Sequence, residues 1–138
     1  MRFMVIVKGS KECESGKPPS KDMLAAMGKY NEELAKAGVL LALEGLTPAS
    51  QGSRVKFDGK NQTVTDGPFA ESKELIGGFW LWKCSSKQEA IEWLKRAPFD
   101  HAEVEIREVV AAEEFAEKFA REFRAQEASR LAAAEVQK

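Results

Sequence analysis

Apolar residues recur along this chain with more than one spacing, and each spacing marks a different element. Phe3 to Val7 is apolar at every position, the pattern of a strand covered on both faces. Met23, Met27, Tyr30 and Leu34 return at helical spacing and predict one face of a helix beginning near Lys21. Ser20 stands where an N-cap belongs, Asp22 lies in the favourable first turn, and Gly38 sits where a helix C-terminus prefers glycine. "VLLALEGL", residues 39–46, reads as a second strand. Residues 54–65 read as an inserted hairpin: Val55 and Phe57 alternate with Arg54 and Lys56, Asp58-Gly59 supplies a tight turn, and Thr63 to Thr65 return. Ile76 to Cys84 is a third core strand. Ser86 and Glu89 form a capping box for a helix carrying Ala90, Ile91, Leu94 and Ala97, which Pro98 stops. Ala102, Val104 and Ile106 alternate with Glu103, Glu105 and Arg107 in a fourth core strand.

The order strand, helix, strand, strand, helix, strand predicts an α+β, ferredoxin-like βαββαβ domain over residues 1–110. Its four strands form an antiparallel sheet with two helices on one face. Residues 111–138 extend it with a helix whose Phe115, Phe119 and Phe123 fall in line, with Glu114–Lys118 and Glu117–Arg121 as i,i+4 ion pairs. That phenylalanine stripe needs cover, from the protein's own core or from a partner.

The two helices leave the other sheet face open. Strand one offers Phe3, Val5 and Val7 to one side and Met4 and Ile6 to the other. Strand three offers Phe79 and Leu81 to one side and Trp80 and Trp82 to the other. With these as the central pair, Trp and Met are expected on the open face. Soluble monomers rarely carry so large an apolar patch. A sheet-on-sheet homodimer with a cleft between the sheets is therefore expected; the competing arrangement has the C-terminal helix cover that face.

Composition narrows the function classes. The 138 residues suit one domain; 43% are hydrophobic and 31% charged, and the formal net charge is −1. Such a balance gives no bulk drive toward nucleic acid or an anionic membrane. The apolar run at the N-terminus is too short for a signal peptide, and no segment reaches the ~20 apolar residues of a membrane span, so a cytoplasmic protein is expected. Cys13 and Cys84 lie far apart and are read as free thiols. One histidine and two remote cysteines build no zinc site. "GSKECESGK" fails as a phosphate loop, and Gly77-Gly78 enters a strand, unlike a dinucleotide fingerprint. No cofactor is expected.

"TDGPFAESKELIGGFW", residues 65–80, concentrates charge between a turn and a buried strand. Asp66 is either a carboxylate at the cleft mouth, accepting a proton or anchoring a ligand, or the residue whose side chain fixes the turn. Glu44 interrupts an apolar strand before Gly45 and is either a general base with a raised pKa or an outward-pointing strand end. Glu105 and Arg107 share the strand face opposite Val104 and Ile106, where Arg107 is placed to hold an anion or to pair with Asp66 or Glu44. Lys73 and Phe69 join them as ligand contacts on the same wall. His101, the one histidine, lies in a loop and is either a proton shuttle or a surface residue with no role.

Asp66-Gly67-Pro68-Phe69, preceded by "AGVLLALEGL" and followed by Gly77-Gly78 and "VEIREV", resembles the DGPF-domain, YCII-related family from Arg2 to about Val110. The resemblance implies a dimeric α+β barrel built from ferredoxin-like protomers. Shorter relatives are associated with cofactor-free chemistry by a His at the start of the first helix and an Asp in an Asp-Pro before the last strand. Here the helix opens "PPSKDMLAAM", and Ala97-Pro98 replaces the Asp-Pro, so that dyad is not carried over. The resemblance also implies association with sigma factors of the extracytoplasmic-function type. Two functional expectations follow. One is a dimer that binds a small organic molecule between its sheets, with isomerase- or lyase-like proton transfer by Asp66 or Glu44 and Arg107 as anion holder. The other is a non-catalytic sensor or adaptor acting with a transcription regulator.

Overall fold

A computed structural model of the chain describes residues 1–10, 14–69 and 75–136. Lys73 and Cys13 lie outside the described residues. The elements are β1 (Arg2–Lys8), α1 (Lys21–Lys36), β2 (Leu40–Gly45), a 3-10 turn (Ala49–Gln51), β3 (Ser53–Asp58), β4 (Asn61–Asp66), β5 (Ile76–Lys83), α2 (Lys87–Lys95), β6 (Val104–Glu108) and α3 (Ala112–Val136). The main sheet has the order β2-β5-β1-β6, and all its pairs are antiparallel. This is the ferredoxin-like arrangement, with β1 and β5 central. β3 and β4 form a separate two-stranded hairpin.

The caps form where the sequence places them. Ser20 accepts from the Met23 N–H at 3.1 Å and Ser86 from the Glu89 N–H at 3.1 Å. The Glu89 carboxylate reaches one residue further back than a capping box requires. It accepts from the Ser85 N–H at 2.9 Å and from the Ser85 hydroxyl. Gly38 follows α1 with φ +75°, a backbone that glycine adopts without steric cost.

The core lies between the helices and one face of the sheet. Phe3 pairs with Trp82 and Val5 with Trp80, and all four are buried there with Tyr30, Leu34 and Val39. Each such large side chain contributes roughly 1.5–3 kcal/mol by leaving water. The expectation of tryptophan on the open face is thus corrected. Both indoles turn toward the helices, where the Trp80 N–H finds Asn31 Oδ1 at 2.9 Å. The open face carries Met4, Ile6, Phe79 and Leu81 instead, all half-buried. β6 also starts two residues later than its alternation predicts; just before it, Glu103 forms an ion pair with Lys8 at 3.2 Å, and its carbonyl accepts from the Lys8 N–H at 3.3 Å.

The chain divides into two compact units, residues 1–108 and 109–138. The second is α3, on which Phe115, Phe119 and Phe123 stack in sequence at 5.8 and 6.0 Å, each more than half exposed.

Candidate functional site

Three places in the first unit gather the chemistry-bearing residues. The first is the corner after β4. Asp66 pairs with Ser53 across the hairpin, and the Ser53 hydroxyl donates to Asp66 Oδ1 at 2.6 Å. The Gly67 N–H donates to the Gly52 carbonyl at 2.9 Å, and the Gly67-Pro68 peptide is cis. Phe69 lies under the Arg54 guanidinium, 3.9 Å from charge centre to ring centre. The Asp66 carboxylate therefore clamps its own hairpin, and Phe69 is held by a hairpin side chain.

The second place is the open sheet face. Strand register sorts its side chains into rows, because directly opposed residues project to one side. Glu44, Phe79, Ile6 and Glu105 make one row, and Ala42, Leu81, Met4 and Arg107 the next. The centre is apolar and the two edges are charged. Glu44 on β2 and Arg107 on β6 are exposed at opposite edges, three strand spacings apart, roughly 14 Å at ~4.8 Å each. Within the chain the structure brings Glu105 and Arg107 together on one strand face. It keeps Glu44, and the Asp66 of the separate hairpin sheet, in other elements.

The third place is a groove of about 850 Å³ beside the N-terminal half of α1. The stripe Met23, Met27, Tyr30, Leu34 explains it. Tyr30 and Leu34 are buried, but Met23 and Met27 are only half-covered and become one wall, with Leu24 beside them. Val7 and Phe99 add apolar surface, and Lys8, Ser10, Lys17, Ser20, His101 and Glu103 bring the polar groups. An apolar pocket of ~300–1,000 Å³ with a few convergent polar groups is the usual form of a small-molecule site. Among the described residues of the predicted site set, His101 is the one that lines it. Its side chain is almost entirely exposed, with Nε2 3.9 Å from Asp100 Oδ2.

Sequence reasoning missed Met23, Leu24, Lys17 and Phe99 as site residues because helical periodicity assigns an apolar stripe to the core. The available signal was the Pro18-Pro19-Ser20 entry followed at once by two methionines and a leucine. The start of α1 and the segment before β6 both border this groove. Those are the two places where the resemblance sets its His and Asp.

Among the described residues, the groups whose acidity is clearly displaced lie elsewhere. Burial pushes the Tyr30 phenol up, and the Arg96 guanidinium pulls partly against it. Burial, with the Glu89 carboxylate adding to it, pushes up the Cys84 thiol, which is free and buried. The Ser85 hydroxyl and N–H hold Glu89 below the usual carboxylate range. Among the described residues, no three His, Cys, Asp or Glu side chains are grouped to hold a metal ion. No described helix is long and apolar enough to cross a membrane.

These features define a ferredoxin-like α+β protein with an apolar-centred open sheet face and a groove beside α1. Residues 1–119 match the YCII-related domain, and the chain belongs to that family. It is also 35% identical, over 75 residues, to an uncharacterised protein of Rhizobium meliloti (strain 1021). That stretch is 54% of this chain and 57% of the relative, so the match spans little more than half of either.

Proposed function

We propose that the protein is a homodimer that binds a small organic molecule in the α1 groove. The observation that carries the ligand reading is the overhang of Met23, Leu24 and Met27 beyond the packed core, which leaves about 850 Å³ between α1 and the Phe99–Glu103 segment. The open face supports the dimer: Met4, Ile6, Phe79 and Leu81 form a continuous apolar centre, with charge on the β2 and β6 edges and in the Arg2–Lys83 row at one end of the central strands, the layout of an interface core and rim. A two-fold axis along the strands seats β2 of one protomer over β6 of its partner, so the Glu44 edge meets the edge that carries Glu105 and Arg107. The Ser53–Asp66 clamp at 2.6 Å and the separation of Glu44 from Arg107 favour binding over proton transfer as the function of a single protomer.

A thermal-shift screen of small organic acids, alcohols and amines tests the ligand reading. At least one compound is expected to raise Tm of the native chain and to lose that effect in Leu24→Trp, which fills the groove from an exposed position. Shifts that survive the substitution, or no shift at all, would overturn it.

A second reading, adaptor function with a transcription regulator, draws on α3, where three stacked phenylalanines are each more than half exposed. It predicts that removing residues 111–138 abolishes capture of such a regulator while residues 1–110 stay folded. Retained capture sinks it.

A further inference from the structure

We infer that the α1 groove takes an anionic amphiphile, a molecule with a compact apolar body and a single carboxylate head; this rests on the groove being the ligand site. The polarity of the groove is laid out along α1. Lys17 and Ser20 precede the helix, Met23 and Leu24 lie in its first turn, and Met27 lies a turn further on, about 10 Å from Ser20 at 1.5 Å per residue. Phe99 adds an aromatic surface, and its ring also rests on Trp80 with centroids 5.9 Å apart. A ligand body of that length is enclosed by thioether and aromatic surface, which adapts to a chain or a small ring system.

The head group follows from what the polar end has left to offer. Glu103, the carboxylate of the lining, is held by Lys8 at 3.2 Å. Among the described residues no carboxylate pairs with Lys17. The Ser20 oxygen already accepts from the Met23 N–H, which leaves its O–H donor and one lone pair to turn outward. Donors and a positive charge at one end, with apolar surface beyond, match a carboxylate followed by hydrocarbon. An ammonium head would meet Lys17, and Glu103, the one carboxylate among the described lining residues, would have to leave Lys8.

The test is calorimetric titration of the full chain with octanoate, octanol and octylamine. Octanoate is expected to bind roughly two- to fivefold tighter than octanol, the scale of one partly exposed charge contact, with octylamine weakest. Lys17→Glu is expected to bring octanoate down to the level of octanol while octanol is unchanged, and Leu24→Trp to weaken all three. If octanol or octylamine matches octanoate while Leu24→Trp still weakens binding, the anion inference fails and the groove stands as a site. If none binds, or binding ignores Leu24→Trp, the groove reading fails and takes this inference with it. Circular dichroism of each variant separates loss of binding from loss of fold.

Discussion

The indole N–H of Trp80 donates to Asn31 Oδ1 at 2.9 Å and so ties the central strand β5 to the middle of α1. Tyr30 and Phe99 both meet the same indole edge-on, at 6.0 and 5.9 Å, so the helix, the sheet and the segment before β6 converge on one ring. Trp80 is 2% exposed, and an indole donor stripped of its acceptor there has no water to turn to. Asn31→Leu is therefore expected to lower unfolding stability by about 1–3 kcal/mol in urea. In a Trp80→Phe background the same change should cost much less. Equal losses in both backgrounds would show that the hydrogen bond contributes nothing specific.

Tyr30 links the two helices, donating its hydroxyl proton to the Trp93 carbonyl at 2.6 Å. Burial raises the pKa of its phenol above the ordinary value of about 10. The unfolded chain then releases this proton at lower pH than the folded one. The stability Tyr30 contributes is whole below about pH 10 and is lost as pH climbs from there toward the folded value. Tyr30→Phe should remove that alkaline loss, and near neutral pH it should cost about 0.5–1.5 kcal/mol for the missing hydrogen bond. Urea titrations of both proteins at pH 8, 10 and 11 check the sign; parallel decline in the two would refute it.

The strand and helix order was legible because the spacings are clean and the caps are explicit: Ser20 and Ser86 both accept where expected. The face of β5 was not. Phe79 and Leu81 are as apolar as Trp80 and Trp82, so alternation identifies two sides without saying which one meets the helices. The choice falls to packing against the helices: the Trp80 N–H reaches Asn31, 49 residues away in sequence, while the Trp82 N–H is buried on the same side with no partner among the described residues. The groove was equally hidden. Met23 and Met27 continue the stripe of Tyr30 and Leu34, and only the placement of α1 on the sheet decides which half is covered. Asp66 was legible as turn chemistry, but its partner Ser53 became visible only through the register of β3 with β4.

The same corner makes a sharp demand on one glycine. A Cβ on Gly67 would stand 2.0 Å from the Ala49 carbonyl oxygen, a backbone atom that no rotamer change can move aside. Gly67→Ala is expected to cost roughly 1–3 kcal/mol through the forced backbone shift. Gly28 is the control: it lies within α1, and a Cβ there meets nothing within 4 Å. Gly28→Ala should instead stabilise by about 0.5–1 kcal/mol. Thermal unfolding of the two variants should move in opposite directions, and a shared sign would undo the steric argument.

Leu81 sits at the centre of the open face, between Met4 on β1 and Ala42 on β2. In the proposed dimer this position is desolvated on both sides, while in a lone protomer it is a half-buried surface residue. Leu81→Arg should therefore leave the fold intact and weaken association at least ~10-fold, about 1.4 kcal/mol, since a guanidinium would enter the contact without a partner. Arg107→Ala at the edge should weaken it far less, because rim charges contribute little. Sedimentation of the native chain at micromolar concentration is expected to give twice the chain mass of 15.3 kDa, and the Leu81 variant the chain mass alone. A native chain that sediments as a monomer, or a Leu81→Arg variant that stays dimeric, would remove the open face from the interface.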